Sequence, residues 1–161
     1  MLRLSYLDVN HTFPVDFCQE LSMFGALSSA CLEFILSKGK INQYDQEEAV
    51  FSLGENSSQF YVVLSGRVSF LRPKGDKKIF IRRFKPGEQI GFVGMIGLHE
   101  RRGFAVAEDQ TCLLEITSEL FHQVCEKYPA DFVVFLINIT REMSREINDL
   151  DELCTELNTA E

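Results

Sequence analysis

The strongest β signal in the chain is Phe60-Tyr61-Val62-Val63-Leu64-Ser65-Gly66-Arg67-Val68-Ser69-Phe70. Aromatic and β-branched residues, which favour strands, run up to Ser65-Gly66 and resume beyond it. We therefore predict two strands joined by a turn at Ser65-Gly66. A second turn at Lys74-Gly75-Asp76 leads into the apolar run Ile79-Phe80-Ile81, which predicts a third strand.

The same pattern extends outward from this segment, over residues 41–116. Short runs rich in Val, Ile and Phe are separated by glycines roughly every ten residues, a spacing typical of a compact antiparallel roll or jelly roll. The glycines are Gly54, Gly66, Gly75, Gly87, Gly97 and Gly103.

Helical periodicity flanks this β region on both sides. Apolar residues recur at steps of three and four over residues 16–38, which predicts two short helices joined at Gly25-Ala26-Leu27. Thr117 or Ser118 is a candidate N-cap for a helix after the last strand. Pro129 fits the first turn of a final long helix. The predicted fold class is α+β, an antiparallel β-roll with N-terminal helices and a long C-terminal helix.

We divide the chain into an N-terminal extension (1–15) with no assigned role, a central domain (16–128) and the long helix (129–161). The long helix carries a seam of seven residues, spaced alternately by four and three, of which six are apolar. They are Leu136, Thr140, Met143, Ile147, Leu150, Cys154 and Leu157. The seam predicts a homodimer; the alternative is a helix that lies along its own barrel.

Charge and length exclude several classes of protein. The 161 residues include 24 acidic and 16 basic side chains, and the net charge of −8 disfavours contact with nucleic acid or anionic lipid. The acidic end of the final helix and the absence of a recognition helix after it lead us to expect no direct DNA binding. Without an apolar run long enough for a membrane span or a signal peptide, we expect a cytoplasmic protein without membrane contact.

The sequence carries no pattern of catalytic or metal-binding residues. The five cysteines are widely spaced and form no C-x-x-C pair, and His11, His99 and His122 lack the spacing of metal ligands. We therefore expect no enzyme activity, no metal and no cofactor.

Three segments together carry a family resemblance: Phe51-Ser52-Leu53-Gly54-Glu55, Phe60 to Gly66, and Phe84-Lys85-Pro86-Gly87-Glu88-Gln89-Ile90-Gly91. They resemble the cyclic-nucleotide-binding domain, in the order and spacing seen in its catabolite activator branch. The resemblance covers about residues 21–150. It implies a regulatory domain whose ligand, such as cyclic AMP or cyclic GMP, sits inside the roll.

In that family an arginine in a phosphate-binding cassette holds the ligand. The stretch from Gly91 to Val106 has the matching length and places Arg102 at the family arginine. A permanently charged, planar guanidinium suits a buried phosphodiester, and Gly91 and Gly103 would let the main chain approach closely. The alternative is that Arg102 is a solvated surface charge.

The cassette also departs from the family. Phe92, next to Val93, stands where a glutamate accepts a hydrogen bond from the ribose, and Gly103 replaces a small hydroxyl residue. The polar positions that meet the purine fall near Glu146 and Ile147, which do not match the expected hydroxyl pair. The resemblance thus implies a cassette altered for ordinary cyclic AMP.

Three further positions, Phe70, Ile81 and Arg82, fall where the family lines the sugar and base. Phe70 and Ile81 could equally be plain core. Two functions stay open. One is a ligand sensor that signals to an unknown effector protein through the long helix. The other is a ligand-free scaffold in which Phe92 fills the sugar site.

Overall fold

A computed structural model of the protein describes residues 1–3 and 12–159, with side chains up to residue 157. The helices are α1 (Val15–Gln19), α2 (Ser29–Lys38), α3 (Phe92–Ile96), α4 (Ser118–Lys127) and α5 (Pro129–Thr159). The strands are β1 (Leu2–Arg3), β2 (Lys40–Tyr44), β3 (Ala49–Phe51), β4 (Gln59–Ser65), β5 (Val68–Lys74), β6 (Lys77–Phe84), β7 (Gln89–Ile90), β8 (Phe104–Ala107) and β9 (Thr111–Thr117).

The strands form two antiparallel sheets. One has the order β1-β2-β9-β4-β7, and the other has the order β3-β8-β5-β6. The predicted turns at Ser65-Gly66 and Lys74-Gly75-Asp76 are confirmed, since β4, β5 and β6 end and begin around them. The predicted antiparallel roll with helices at both ends is confirmed.

Two apolar cores result because alternate residues of a strand face opposite sides of a sheet. On β4, Phe60 and Val62 belong to a core shared with the helices. Tyr61 and Val63 belong to a second core, which draws residues from both sheets. We call the first the helix-side core and the second the roll interior. Each buried side chain of a strand therefore belongs either to the helix-side core or to the roll interior.

The N-terminal helices are two, as predicted, but the first ends at Gln19 and residues 20–26 form turns. Ala26 adopts a left-handed φ of 64°, which interrupts helical geometry. Ser28 then caps α2 by accepting a hydrogen bond from the Cys31 N–H. Its own N–H and hydroxyl donate to Asp131 of α5, so the two ends of the domain are joined.

The predicted N-cap at Thr117 is confirmed, because its hydroxyl accepts from the Leu120 N–H at 3.2 Å. Pro129 begins the long helix, also as predicted. Part of the N-terminal extension pairs with β2 as β1, while residues 4–11, including His11, lie outside the described residues.

The first half of α5 packs on the body, and the second half leaves it. Phe135 and Ile139 are buried in the helix-side core, and the Asn138 amide donates to the carbonyls of Met23 and Gly25. Ile147 is 56% exposed, and the seam from there to residue 157 has no partner element among the residues described. None of the described helices combines the length and apolarity of a membrane span.

Candidate functional site

The cassette begins where β7 meets α3. Gly91 holds a left-handed φ of 94°, a conformation that favours glycine. It turns the chain into α3, a helix of five residues. Residues 97–103 then lead to β8. This turn and loop bring Arg101 beside Gly91 at the start of α3, and Arg102 follows it in the chain.

Arg101 is fixed against the loop after β3. Its N–H donates to the Glu55 carbonyl at 2.8 Å, and its carbonyl accepts from the Gly54 N–H at 2.9 Å. The guanidinium donates through Nη1 to the Gly91 carbonyl at 3.0 Å and through Nη2 to the Gln59 carbonyl at 2.5 Å. Arg101 thus joins the cassette to the loop after β3 and to the start of β4.

The surroundings of Arg101 are aromatic and dry. Only 3% of the residue is exposed, and its Cζ lies 4.3 Å from the ring centroid of Phe51 in the roll interior. Burial lowers the pKa of the guanidinium, and Tyr61 and Glu55 oppose that shift. The cation is stabilised mainly by the two carbonyls and the Phe51 ring face.

The inward-facing arginine is therefore Arg101, whereas Arg102 is exposed. The expectation that Arg102 faces the interior was wrong, because adjacent residues of an extended segment point to opposite sides. The sequence contains a pattern that indicates the inward orientation of Arg101. Arg101 begins a period-two run with three small residues, all buried: Gly103, Ala105 and Ala107.

Two buried polar atoms at the cassette lack a hydrogen-bond partner, Arg101 Nε and Ser57 Oγ. A Cβ placed on Gly94 of α3 would lie 2.5 Å from Ser57 Oγ and 3.6 Å from Arg101 Nη1, so the serine and the arginine converge on this glycine. Buried polar atoms are rarely left unpaired. Their pairing here is incomplete at the place where the resemblance implies a ligand. Sequence reasoning missed Ser57, which has no distinctive motif.

Phe70 lies at the roll interior, as expected, and packs on Phe51 with 6.4 Å between ring centroids. Its ring also covers Gly103. A Cβ at Gly103 would lie 2.6 Å from Phe70 Cζ and 2.4 Å from the Leu71 carbonyl oxygen. The absence of a side chain at Gly103 therefore follows from close packing.

Phe92 does not fill the roll interior. It is buried in the helix-side core, edge-on to Phe60 at 5.3 Å and to Phe121 at 5.7 Å between ring centroids. The expectation of a phenyl ring in the sugar site was wrong, because the Phe92 ring packs with the aromatic rings of the helix-side core, on the opposite side of the sheet from the roll interior. Val93, the next residue, is 49% exposed.

The remaining predicted lining residues also lie elsewhere. Ile81 is 40% exposed at a bulge, where Phe70 pairs with Arg82 and the next β5 residue pairs with Phe80. Arg82 turns to the long helix, with Nη1 3.0 Å from Glu146 Oε2. Of the predicted set, Gly91 contacts Arg101, and Phe70 covers Gly103 and packs on Phe51, the ring that Arg101 contacts. Whether any of them contacts a ligand stays a prediction.

Two further buried residues were missed, Gln89 and Glu142. Gln89 lies within the third segment of the family resemblance, but that segment does not indicate that its side chain is buried, and Glu142 belongs to no recognisable motif. An isolated glutamine or glutamate has no periodic neighbour that would reveal its burial.

Comparison with known proteins supports the expected resemblance. The family model for the cyclic nucleotide-binding domain matches residues 41–128. Lysophospholipase NTE1 of Cryptococcus neoformans is 25% identical over 107 residues, which are 66% of this chain and 7% of that protein. The chain thus matches only a small part of that curated relative.

Two solved structures show the same fold. A cyclic nucleotide-binding domain from Methylobacillus flagellatus superposes with a TM-score of 0.82 at 16% identity, covering 96% of this chain and 88% of that one. The catabolite activator protein of Thermus thermophilus gives a TM-score of 0.71 at 24% identity, covering 85% of this chain and 63% of that one. With more than half of its residues matched by the family model, the chain belongs to the cyclic nucleotide-binding domain family.

Proposed function

We propose that the chain is a non-enzymatic sensory domain that binds a cyclic nucleotide or a related phosphate ligand in its roll. The observation that carries this proposal is the pair of unpartnered buried atoms, Arg101 Nε and Ser57 Oγ. Both are competent donors, and they lie at the cassette of a fold whose family is regulatory.

The chemistry of the donors favours a phosphate. A guanidinium offers planar N–H donors that match phosphate oxygens, and its charge persists when it is buried. In dry surroundings a charge-assisted hydrogen bond is stronger than in water. Each Nη atom donates one of its two N–H groups to the Gly91 or Gln59 carbonyl, whereas Nε is the guanidinium nitrogen without a partner, so we propose that Nε–H donates to the ligand. Arg101 would then read the ligand without releasing the cassette.

Recognition of the sugar and base has weaker support. Phe92 lies in the helix-side core and offers no acceptor to a ribose hydroxyl. Phe70 is the predicted lining residue that borders the roll interior. We therefore propose that Arg101 binds a phosphate group, which all the candidate ligands contain. The titration described below distinguishes cyclic mononucleotides from cyclic dinucleotides.

We propose output through α5. Its apolar seam is exposed from Ile147 onward, which supports a homodimer or contact with an effector protein. The buried cysteines Cys18, Cys31 and Cys112 are all free thiols, which favours the reducing cytoplasm.

A ligand-free scaffold is the second candidate. Its support is that the chain's own carbonyls already accept from both Nη atoms of Arg101 and that Phe70 covers Gly103. Such packing needs no ligand to hold the cassette together.

Thermal-shift titration separates the two candidates. Cyclic AMP, cyclic GMP and cyclic dinucleotides are each added up to millimolar concentration. A ligand at about a hundred times its Kd should raise Tm by about 5–10 °C. The variant Arg101→Lys should lose the shift, and the matched control Arg102→Lys should keep it. No shift with any nucleotide would favour the scaffold, and an equal shift in Arg101→Lys would exclude Arg101 as the reader.

A further inference from the structure

The long helix contributes one buried acid to the body. Glu142 of α5 is 5% exposed. Its Oε1 accepts from the Gln89 N–H at 2.9 Å, whereas its Oε2 is buried with no hydrogen-bond partner. A carboxylate oxygen without a partner is costly to bury in the ionised form.

Gln89 connects this acid to the cassette. Its side-chain oxygen accepts from the Phe92 N–H at 3.1 Å. Phe92 is the first residue of α3, where backbone N–H groups have no partner within the helix. Two consecutive hydrogen bonds therefore join Glu142 on α5 to the start of α3. We call this chain of contacts the Glu142 link.

A cavity of about 480 Å³ lies beside the link, between the segment after β6 and the outer part of α5. The charged side chains that line this cavity together with Glu142 are Arg82 of β6, Lys85 and Glu88 of the segment between β6 and β7, and Arg145, Glu146, Asp149 and Glu152 of α5. Arg82 is engaged by Glu146 at 3.0 Å and Glu88 at 3.7 Å. The acid therefore lacks a basic partner of its own among the described residues.

We infer that Glu142 is a positioning residue that couples the docking of α5 to the start of the cassette helix, and that a proton on its carboxyl keeps this link closed. Coupling of the link to a ligand rests on the proposed function, whereas the response of the link to protons is independent of it.

The direction of the response follows from burial. Desolvation raises the pKa of Glu142 from 4.5 to about 7, Glu88 and Glu146 add to the rise, and the Gln89 N–H and Arg82 oppose it. The neutral acid is thus favoured in the docked state. As pH rises through about 7, the acid ionises and docking weakens. Opening of the link should increase about tenfold between pH 6 and pH 8.

The test is an NMR titration of the full chain between pH 5 and pH 9. It follows the Glu142 side-chain carbon, the Gln89 and Phe92 amides, and hydrogen exchange of the α5 amides around Glu142, corrected for intrinsic rates. In the wild type the three signals should titrate together, and protection in α5 should fall about tenfold from pH 6 to pH 8. The variant Glu142→Gln should keep the fold and abolish the titration at both amides. Glu146→Gln, one turn away, is the matched control and should retain the titration with its midpoint shifted to lower pH, because Glu146 raises the pKa of Glu142 and engages Arg82.

The inference is overturned if the Gln89 and Phe92 amides do not titrate in the wild type, or if they titrate equally in Glu142→Gln. Adding cyclic AMP at pH 6 and pH 8 tests the proposed function separately from the response to protons. If cyclic AMP does not bind but the proton titration is seen, the proposed function loses support while the link stands. If cyclic AMP binds with equal affinity and equal α5 protection in wild type and Glu142→Gln, coupling through the link is wrong.

Discussion

The guanidinium carbon of Arg101 lies 4.3 Å from the ring centroid of Phe51, and this pair sets the chemistry of the roll interior. The ring covers one side of the cation, while the carbonyls of Gly91 and Gln59 accept from its edge. A permanent charge is thereby held in a dry, aromatic site, and its Nε–H group makes no hydrogen bond.

The first prediction concerns stability. Arg101→Lys should lower the free energy of unfolding by about 1–3 kcal/mol, because a lysine cannot bridge both carbonyls and leaves one unpaired. Arg102→Lys, at an exposed neighbouring position, should change it by less than about 0.5 kcal/mol. Urea unfolding of the three proteins checks this. Equal stability of the two variants would contradict the assignment of the interior arginine.

The second prediction concerns Gly103, which packs closely against Phe70 and Leu71. Gly103→Ser should destabilise the fold by about 1–3 kcal/mol, since its Cβ would lie 2.4 Å from the Leu71 carbonyl oxygen. Gly25→Ser is the control, because the nearest atom to a Cβ there is 3.7 Å away. Thermal unfolding distinguishes them. If both serine variants unfold at the wild-type temperature, the prediction is wrong, and the Phe70 ring and β5 move to accommodate the added side chain.

The third prediction concerns pH. Glu142 has a folded-state pKa of about 7, above its ordinary 4.5, so its contribution is complete below the ordinary value and is lost as pH rises through the folded one. The stability of the wild type relative to Glu142→Gln should therefore fall by about 1.4 kcal/mol between pH 6 and pH 8. Urea unfolding at several pH values measures this difference. A constant difference would mean that Glu142 does not titrate in this range.

The fourth prediction concerns assembly. If the seam of α5 forms a homodimer, Leu150→Glu should place a charge in it and yield a monomer, because burying an unpaired carboxylate is costly. Ser144→Glu adds the same charge off the seam and should leave the dimer intact. Sedimentation at several concentrations is the readout. A wild type that stays monomeric at high concentration would refute dimerisation.

Much of the fold could be predicted from the sequence. Turn glycines mark the strand ends, Thr117 caps α4, and Pro129 begins α5, because these are local requirements of backbone geometry. Homodimerisation depends on a second copy of the chain and stays a prediction.

The site was predicted only in part. Counting from Gly91 identifies the cassette but not which arginine faces inward, because the loop between α3 and β8 can shift register by one residue. The side that Phe92 faces depends on rings contributed by β4 and α4, which are distant in sequence. The Glu142 link joins segments 53 residues apart, beyond any local pattern.

The most direct test of phosphate reading is NMR of the arginine Nε–H groups in ¹⁵N-arginine-labelled protein, titrated with the nucleotide that stabilises the fold most. We expect the Arg101 Nε–H signal to move downfield and saturate with the ligand, while the Arg102 signal stays in place. A ligand that saturates the protein without moving the Arg101 signal, or that moves the Arg102 signal instead, would contradict the account.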